Sequence, residues 1–145
     1  WIGGVGISGT NAVTDILDEA FAECVGLTSI VLGDNVESIG IGAFEGCGML
    51  ACVTFPQALH LVGMRAFKGC VALKELLFPA NVIVIGREAF AGCNSLVNVY
   101  LPDNLINIEP SLFDGCKALE KVLLPLPGQP ITITFCIFYA SICNV

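Results

Sequence analysis

The sequence predicts a β-rich solenoid of the α/β class, with about five stacked coils of 23 residues, parallel strands, short one-turn bends and no long helices. Three observations lead to this prediction. Phenylalanine recurs every 23 residues, cysteine follows each phenylalanine after three residues, and leucine follows each cysteine after three more. Such a period is the signature of a solenoid, because one unit is too small to bury its own apolar side chains and must stack on the next.

Each coil contributes one residue to each of several apolar series. The strongest series are Phe21, Phe44, Phe67, Phe90 and Phe113; Cys24, Cys47, Cys70, Cys93 and Cys116; and Leu27, Leu50, Leu73, Leu96 and Leu119. Two more series are Ile30, Val53, Leu76, Val99 and Val122, and Leu32, Phe55, Phe78, Leu101 and Leu124. We expect each series to form a continuous ladder inside the coil.

The local pattern within a unit predicts its elements in order. Ala-Phe-x-Gly-Cys is too short for a long helix and predicts a one-turn bend. Leu-x-x-Val-x-Leu-Pro predicts a strand that proline ends, because proline lacks the donor for a ladder. A second apolar stretch follows and ends in Gly40, Gly63 and Gly86, which suit a tight corner. Glu109 stands at the equivalent place in the fourth copy.

The repeat also predicts the domain organisation. We expect an irregular lead-in over 1–11, a solenoid over 12–125 and a divergent cap or tail over 126–145. The solenoid would contain a half repeat over 12–20 and repeats that start near 20, 43, 66, 89 and 112. In the tail, residues 131–135 alternate like a strand, and the remainder is an uncharged apolar lid for the last coil or a contact for a further partner.

The complete unit is best seen in Ala66–Cys70 and continues through Leu73, Leu76, Phe78-Pro79, Val82 and Ile85-Gly86. This unit resembles the BspA-like leucine-rich repeat family, and the resemblance runs from about Val13 to about Pro125. The resemblance implies a surface or secreted protein that binds other proteins, often in adhesion. It does not name a ligand.

Charge and hydropathy exclude some classes of protein. Apolar residues make up 55% of the chain and charged residues 13%, whereas a disordered chain needs low hydrophobicity and high charge. The net charge of −7 disfavours nucleic acid as a partner, because a nucleic-acid-binding protein normally carries a basic face. The chain before Arg65 contains seven acidic residues and no lysine or arginine, so one end of the molecule is acidic.

The ends of the chain carry no visible targeting segment, so we expect a processed form or a fragment of a longer protein. The uncharged stretch over 122–145 contains several prolines and is apolar over too few residues for a spanning helix, which needs about 20. No transmembrane segment is predicted.

Eight cysteines invite a disulfide interpretation. Neighbouring ladder cysteines would have parallel Cβ vectors, however, and a disulfide needs a specific dihedral angle. We therefore predict that the five ladder cysteines are reduced and buried, and that Cys52, Cys136 and Cys143 are free to react or pair. A zinc site is not expected, because there is no Cys-x-x-Cys pair and His60 is the one histidine.

No enzyme activity or cofactor is predicted. A Ser-His-acid triad would have to use His60, and no activating motif surrounds it. The Gly-x-Gly-x-x-Gly match at 4–9 lacks a preceding strand and a βαβ context, so it is interpreted as a flexible lead-in.

The strand alternation predicts which side chains face outward. One outward column would contain Ser29, Cys52, Glu75, Asn98 and Lys121, and the next would contain Val31, Thr54, Leu77, Tyr100 and Leu123. The other wall of the coil would present Ile41, Leu61, Met64, Ile83, Val84 and Ile106. Exposed apolar stripes mark interaction sites; the alternative is that the assumed in-out phase is wrong or that flanking segments cover them.

Two functions of different class follow. The first is a non-catalytic module of a surface or secreted protein that binds a protein partner through Val31, Thr54, Leu77, Tyr100 and Leu123, with Glu75, Asn98 and Lys121 beside them. The second is a structural subunit docked in a larger assembly, which could include a membrane-associated one. The first places the protein outside the cell or on its surface.

Overall fold

The computed structural model describes residues 3–6, 13–123 and 132–133. Within these residues the chain forms short strands and turns and no α-helix. The strands are β1 Gly3–Gly6, β2 Asp15–Ile16, β3 Leu27–Val31, β4 Ser38–Ile39, β5 Cys52–Thr54, β6 Leu61–Val62, β7 Glu75–Leu77, β8 Val84–Ile85, β9 Asn98–Tyr100, β10 Asn107–Ile108, β11 Lys121–Leu123 and β12 Thr132–Ile133.

Each coil contributes one strand to each of two walls. The first wall consists of β3, β5, β7, β9 and β11, and the second wall consists of β2, β4, β6, β8 and β10. Paired strands are parallel and in register one repeat apart, as in the pairs Ile30 with Val53 and Ile39 with Val62. The predicted β-rich solenoid of stacked 23-residue coils is therefore confirmed.

The prediction of an irregular lead-in was wrong for Gly3–Gly6. This segment forms β1 and pairs in parallel with β3, next to Leu27–Val31. Strand pairing uses main-chain groups, so a glycine-rich segment can extend the edge of a sheet without following the side-chain period of the repeat. The rest of the lead-in, including Gly9 of the glycine motif, lies outside the described residues.

The second wall continues beyond the predicted end of the solenoid at residue 125. Strand β12 pairs in parallel with β10, and Ile108 lies opposite Ile133. The strand expected within 131–135 is thus confirmed for Thr132–Ile133. The remaining tail segments, 126–131 and 134–145, lie outside the described residues, as do Cys136 and Cys143.

The core is a set of ladders between the two walls. The rings of Phe44, Phe67 and Phe90 are fully buried and stack with centroid separations of 5.0 and 5.4 Å. Apart from the cysteines, the described members of the other apolar series lie beside them, either inside the same cluster or, as for Val53, Phe78, Leu119 and Val122, packed against it. Burying a side chain of this size contributes roughly 1.5–3 kcal/mol, so the ladders are the main source of stability.

The cysteine ladder fastens each coil to the one before it. The Sγ atoms of Cys47, Cys70, Cys93 and Cys116 each donate a hydrogen bond of 3.0–3.3 Å to the carbonyl oxygen of a ladder phenylalanine. Burial raises the pKa of the thiols of Cys47 and Cys116 to about 11. Burial also raises the pKa of Cys70 and Cys93, so all four remain protonated at neutral pH.

Cys24 departs from the prediction, because it is exposed whereas the other four ladder cysteines are buried. The other four ladder thiols each donate to a carbonyl oxygen 26 residues earlier. Cys52 is also exposed. The six cysteines in the described part of the chain, five on the ladder and Cys52, are all free.

Gly40, Gly63 and Gly86 are required for a different reason than the predicted tight corner. A Cβ atom on Gly63 would lie 2.6 Å from the carbonyl carbon of Gly40, and one on Gly86 would lie 2.5 Å from the nitrogen of Met64. Glycine is needed there because successive backbones approach closely. The left-handed corners lie elsewhere in each coil, at Glu19, Gly42, Arg65, Glu88 and Ser111, and at Glu23, Gly46, Gly69, Gly92 and Gly115.

Glu109 occupies the equivalent position in the first coil beyond the continuous sheet of the second wall. The second wall is a continuous sheet from β2 to β8, but β10 pairs with β12 and belongs to a separate sheet. The interruption lies where glutamate replaces the glycine of the earlier coils. The neighbouring rings of Phe90 and Phe113 are correspondingly further apart, at 6.1 Å.

We predict that Phe67→Ala lowers the free energy of unfolding by about 3–5 kcal/mol, because it leaves a cavity between two stacked rings. Equilibrium denaturation with urea measures this loss. The exposed Leu77→Ala variant of the same coil is the control and should change stability by no more than about 0.5 kcal/mol. A loss below about 1 kcal/mol for Phe67→Ala would place the ring outside the core.

We also predict that Gly63→Ala destabilises the solenoid by about 1–3 kcal/mol, because the added methyl group meets the backbone of the preceding coil. Gly48→Ala is the matched control, since its Cβ would meet Val71 at an ordinary contact distance of 3.8 Å. Thermal unfolding followed by circular dichroism compares the two. Equal melting temperatures for the two variants would contradict the close approach.

A third prediction concerns thiol reactivity. In the native protein at pH about 8, maleimide should modify Cys24 and Cys52, and the ladder thiols should react only after unfolding. The reason is that burial keeps Cys47, Cys70, Cys93 and Cys116 both protonated and inaccessible. Peptide mapping by mass spectrometry identifies the modified residues. Fast native labelling of Cys70 or Cys93 would contradict the ladder.

Candidate functional site

The outward side of the first wall carries the predicted apolar residues in one row. We call this row, Val31, Thr54, Leu77, Tyr100 and Leu123, the apolar column. All five side chains are exposed, and the exposed fraction reaches 61% for Leu77. The alternation along each strand places them outward because Ile30, Leu76 and Val99 face the core. The assumed in-out phase is therefore correct on this wall.

A second row runs beside the apolar column, two residues earlier on each strand. This polar column contains Ser29, Cys52, Glu75, Asn98 and Lys121. Strand pairing places Asn98 between Glu75 and Lys121, so the two opposite charges are two strands apart. Paired strands lie about 4.8 Å apart, so Glu75 and Lys121 are separated by roughly 10 Å along the polar column, beside the apolar column.

The first wall is divided into two sheets, which the sequence analysis did not foresee. One sheet contains β1, β3 and β5, and the other contains β7, β9 and β11. The division coincides with the pair of coils in which Phe55 and Phe78 occupy the same core position, with ring centroids 5.1 Å apart. Leu77, Tyr100 and Leu123 therefore form the continuous part of the apolar column, with Tyr100 in the middle.

The second wall also presents apolar side chains to solvent. Its exposed members are Ile41, Leu61, Met64, Ile83, Val84 and Ile106, as the alternation predicted. Leu61 lies directly opposite Val84 in the paired strands β6 and β8. Both walls thus offer apolar surface outside the core.

The turns on the edge of the solenoid form an open groove of about 310 Å³ that the sequence analysis missed. Its floor consists of Gly69, Gly92 and Gly115, whose positive φ angles set the corner. Lys68 Nζ donates to Glu88 Oε2 at 2.7 Å across this groove. That hydrogen bond lowers the pKa of Glu88. The 23-residue recurrence of glycine two residues after Phe44, Phe67, Phe90 and Phe113 was the signal that could have located it.

The residues considered for catalysis or metal binding do not converge. His60 is half-buried, and its Nδ1 atom lies 3.3 Å from the carbonyl oxygen of Ala58. Across the described residues, no group of three His, Cys, Asp or Glu side chains is placed to hold a metal ion. The same part of the chain contains no helix with the length and apolar character needed to span a bilayer.

Comparison with known structures finds the same architecture in bacterial leucine-rich repeat proteins. The chain is 40% identical to one from Bacteroides ovatus over 84% of its length, with a TM-score of 0.75. It is 30% identical to a leucine rich cell surface protein from Faecalibacterium prausnitzii over 94% of its length, also with a TM-score of 0.75. It is 29% identical to a T. pallidum leucine rich repeat protein over 88%, with a TM-score of 0.72.

The chain spans a limited part of these proteins. It covers 31% of the Bacteroides ovatus chain, 34% of the Faecalibacterium prausnitzii chain and 71% of the T. pallidum chain. Comparison with curated proteins gives no match.

The family comparison agrees with the repeat and extends it. A model of the BspA type leucine rich repeat region matches residues 11–143 in six copies. This match goes beyond the end at about residue 125 that the sequence analysis assigned to the repeat, in agreement with the strand at Thr132–Ile133. From the period, the two-walled solenoid and this match, the chain belongs to the BspA-type leucine-rich repeat family.

Proposed function

We propose that this chain is a non-catalytic protein-protein interaction module that binds a protein partner through its first wall. The observation that carries the proposal is the continuous exposed row of Leu77, Tyr100 and Leu123 on three paired strands. Contiguous apolar surface outside a core normally marks an interaction site. The membership in a leucine-rich repeat family also supports protein binding over catalysis.

The geometry of the wall suits recognition of a folded surface. Tyr100 is 39% exposed and presents a large amphipathic side chain at the centre of the row. Tyrosine is enriched among the residues that carry most of the binding energy at interfaces. The strands beneath the row are fixed by the core, so few conformations are lost on binding.

The charged residues of the polar column would fix the direction in which a partner binds along the wall. Glu75 and Lys121 are exposed on either side of Asn98, which leaves an acidic and a basic group at opposite ends of the row. A partner with a basic group near Glu75 and an acidic group near Lys121 would bind in one direction along the wall. Charges at the rim of an interface act mainly on specificity and association rate.

A location outside the cell or on its surface is part of this proposal. It is supported by the resemblance to the Faecalibacterium prausnitzii protein, which is named a cell surface protein. Since the chain spans 34% of that protein, its location is transferred here only as a proposal.

A second candidate function is a structural subunit of a larger assembly, which could include a membrane-associated one. It is favoured by the apolar side chains on both walls and by the low charged fraction of 13%. In such an assembly both walls would be buried, whereas the interaction module needs only the first wall.

We predict that Tyr100→Ala weakens binding to the partner by about tenfold or more, because it removes the central anchor of the row. The wild-type chain is used as bait on extracts and culture medium of the source cells, captured proteins are identified by mass spectrometry, and their affinity is measured by calorimetry. Val71→Ala is the matched control, since Val71 is an exposed apolar residue in a turn near the same strand.

Loss of binding with Tyr100→Ala but not with Val71→Ala supports the proposal, provided that both variants melt at the wild-type temperature. If neither Tyr100→Ala nor Leu77→Ala alters capture, the first wall is not the binding surface. Partners released only by changes on the second wall would favour the larger assembly.

A further inference from the structure

The exposed apolar residues of the second wall are arranged as a diagonal stripe. In the coil that contains β4 the stripe includes Ile41, which follows the strand. In the next coil it includes Leu61, within β6, and Met64 after it. One coil later it includes Ile83 and Val84 at the start of β8. The stripe, defined as Ile41, Leu61, Met64, Ile83, Val84 and Ile106, has exposed fractions between 37% and 62%.

The direction of the stripe follows from the register of the strands. Leu61 pairs with Val84, and the amide nitrogen of Ile106 donates to the carbonyl oxygen of Ile83 at 3.1 Å. These are two stacked pairs one repeat apart, and Ile41 and Met64 form a third pair with the same spacing. In the order Ile41, Leu61 and Ile83, each pair begins one coil later and nearer the amino ends of the strands. Polar side chains occupy the wall on both sides of this line.

The two flanks of the stripe differ in charge. On one flank lie Asp15 and Glu37, which are exposed next to strands β2 and β4. Hydrogen bonds from Ser38 and Thr14 lower the pKa of Asp15 and keep its carboxylate charged. On the other flank lie Arg65 and Arg87, which follow strands β6 and β8.

The basic flank is available for contact. The side chain of Arg87 is 61% exposed, although its Nε atom lies 3.4 Å from Oε1 of Glu88. Arg65 is half-buried. Glu109 lies on the same side one coil further along, and Asp18 lies at the end of the stripe, where its carboxylate accepts a hydrogen bond of 2.7 Å from the amide of Ile41.

A surface with this arrangement is complementary to itself. Two copies can face each other with their second walls in contact. The two-fold axis then runs along the stripe, in the plane between the second wall of one copy and the second wall of the other. Such an axis places the stripe of one copy on the stripe of the other and exchanges the flanks. Glu37 then faces Arg87 of the second copy, and Asp15 faces Arg65 of the second copy.

We propose that the second wall is a homodimer interface in which two copies of this chain pack back to back along the stripe. Isologous two-fold contacts are the commonest symmetric interfaces, because one patch serves both subunits. The apolar stripe provides the buried centre and the exchanged charges fix the direction. The first wall of each subunit remains outward, so the dimer would present two binding faces and gain avidity for a repetitive partner.

Sedimentation equilibrium of the 145-residue chain tests the proposal over roughly 1–100 µM, where a reversible dimer depends on concentration. We expect Leu61→Asp to abolish association, since it places a carboxylate in the stripe. Leu77→Asp is the matched control on the first wall, one coil further along, and it should leave association through the second wall unchanged. Circular dichroism shows whether both variants keep the fold.

A charge exchange tests the arrangement itself. Glu37→Arg and Arg87→Glu should each raise the dimer Kd by about tenfold or more, because each places like charges opposite one another. The double variant restores opposite charges with reversed sign and should return the Kd to within about threefold of the wild type.

Three results would overturn the proposal. A wild-type chain that is monomeric over the whole range has no such interface, and another partner must cover the stripe. Association that survives Leu61→Asp, or that Leu77→Asp removes, uses a different surface. A double variant as weak as the single variants excludes this two-fold arrangement. None of these results bears on binding through the first wall, so the two proposals can fail independently.

Discussion

The separation between the backbones of successive coils is the constraint on which the rest of this structure depends. Parallel strands pair about 4.8 Å apart, and every group between two coils must fit that distance. The phenylalanine rings satisfy it by stacking nearly face to face, with Phe44 and Phe67 at 5.0 Å. The cysteine thiols satisfy it by donating to carbonyl groups of the preceding coil. Gly63 satisfies it by having no side chain at all.

The pairing of strands is interrupted once in each wall while the stack of coils continues. Glu109 replaces the close-packing glycine, and the second wall divides between β8 and β10. Phe55 and Phe78 coincide with the division of the first wall between β5 and β7. The division of the first wall and the division of the second wall lie between different pairs of coils, so the two walls are not interrupted at the same level of the stack. The interruption of the first wall sets where the continuous part of the apolar column begins, at Leu77 on β7.

The sequence was sufficient for the features that the period controls. Because the register between coils equals the repeat length, residues 23 positions apart become neighbours, and the apolar column from Val31 to Leu123 could be written down before any coordinates. Strand β1 could not be found in this way, because its pairing uses main-chain groups and no periodic side chains. The exposure of Cys24 could not be found either, because the ladder pattern places the same residue at the same position in every coil. The role of Gly63 is a distance between coils, whereas the sequence shows only that a glycine recurs.

The 23-residue period distinguishes residues that the stacking of coils requires from residues that it does not require. An interior ladder needs the same kind of residue in every coil, and Phe44, Phe67 and Phe90 meet that need. Outward positions have no such requirement, so a pattern there needs another cause. The stripe on the second wall moves toward the amino ends of the strands, by three repeat positions from Ile41 to Leu61 and by one from Leu61 to Ile83. Stacking of identical units cannot produce a diagonal, because it repeats each position straight up the column. A contact that crosses the coils at an angle can produce one, and this is why the stripe carries an inference about a partner that the repeat itself does not.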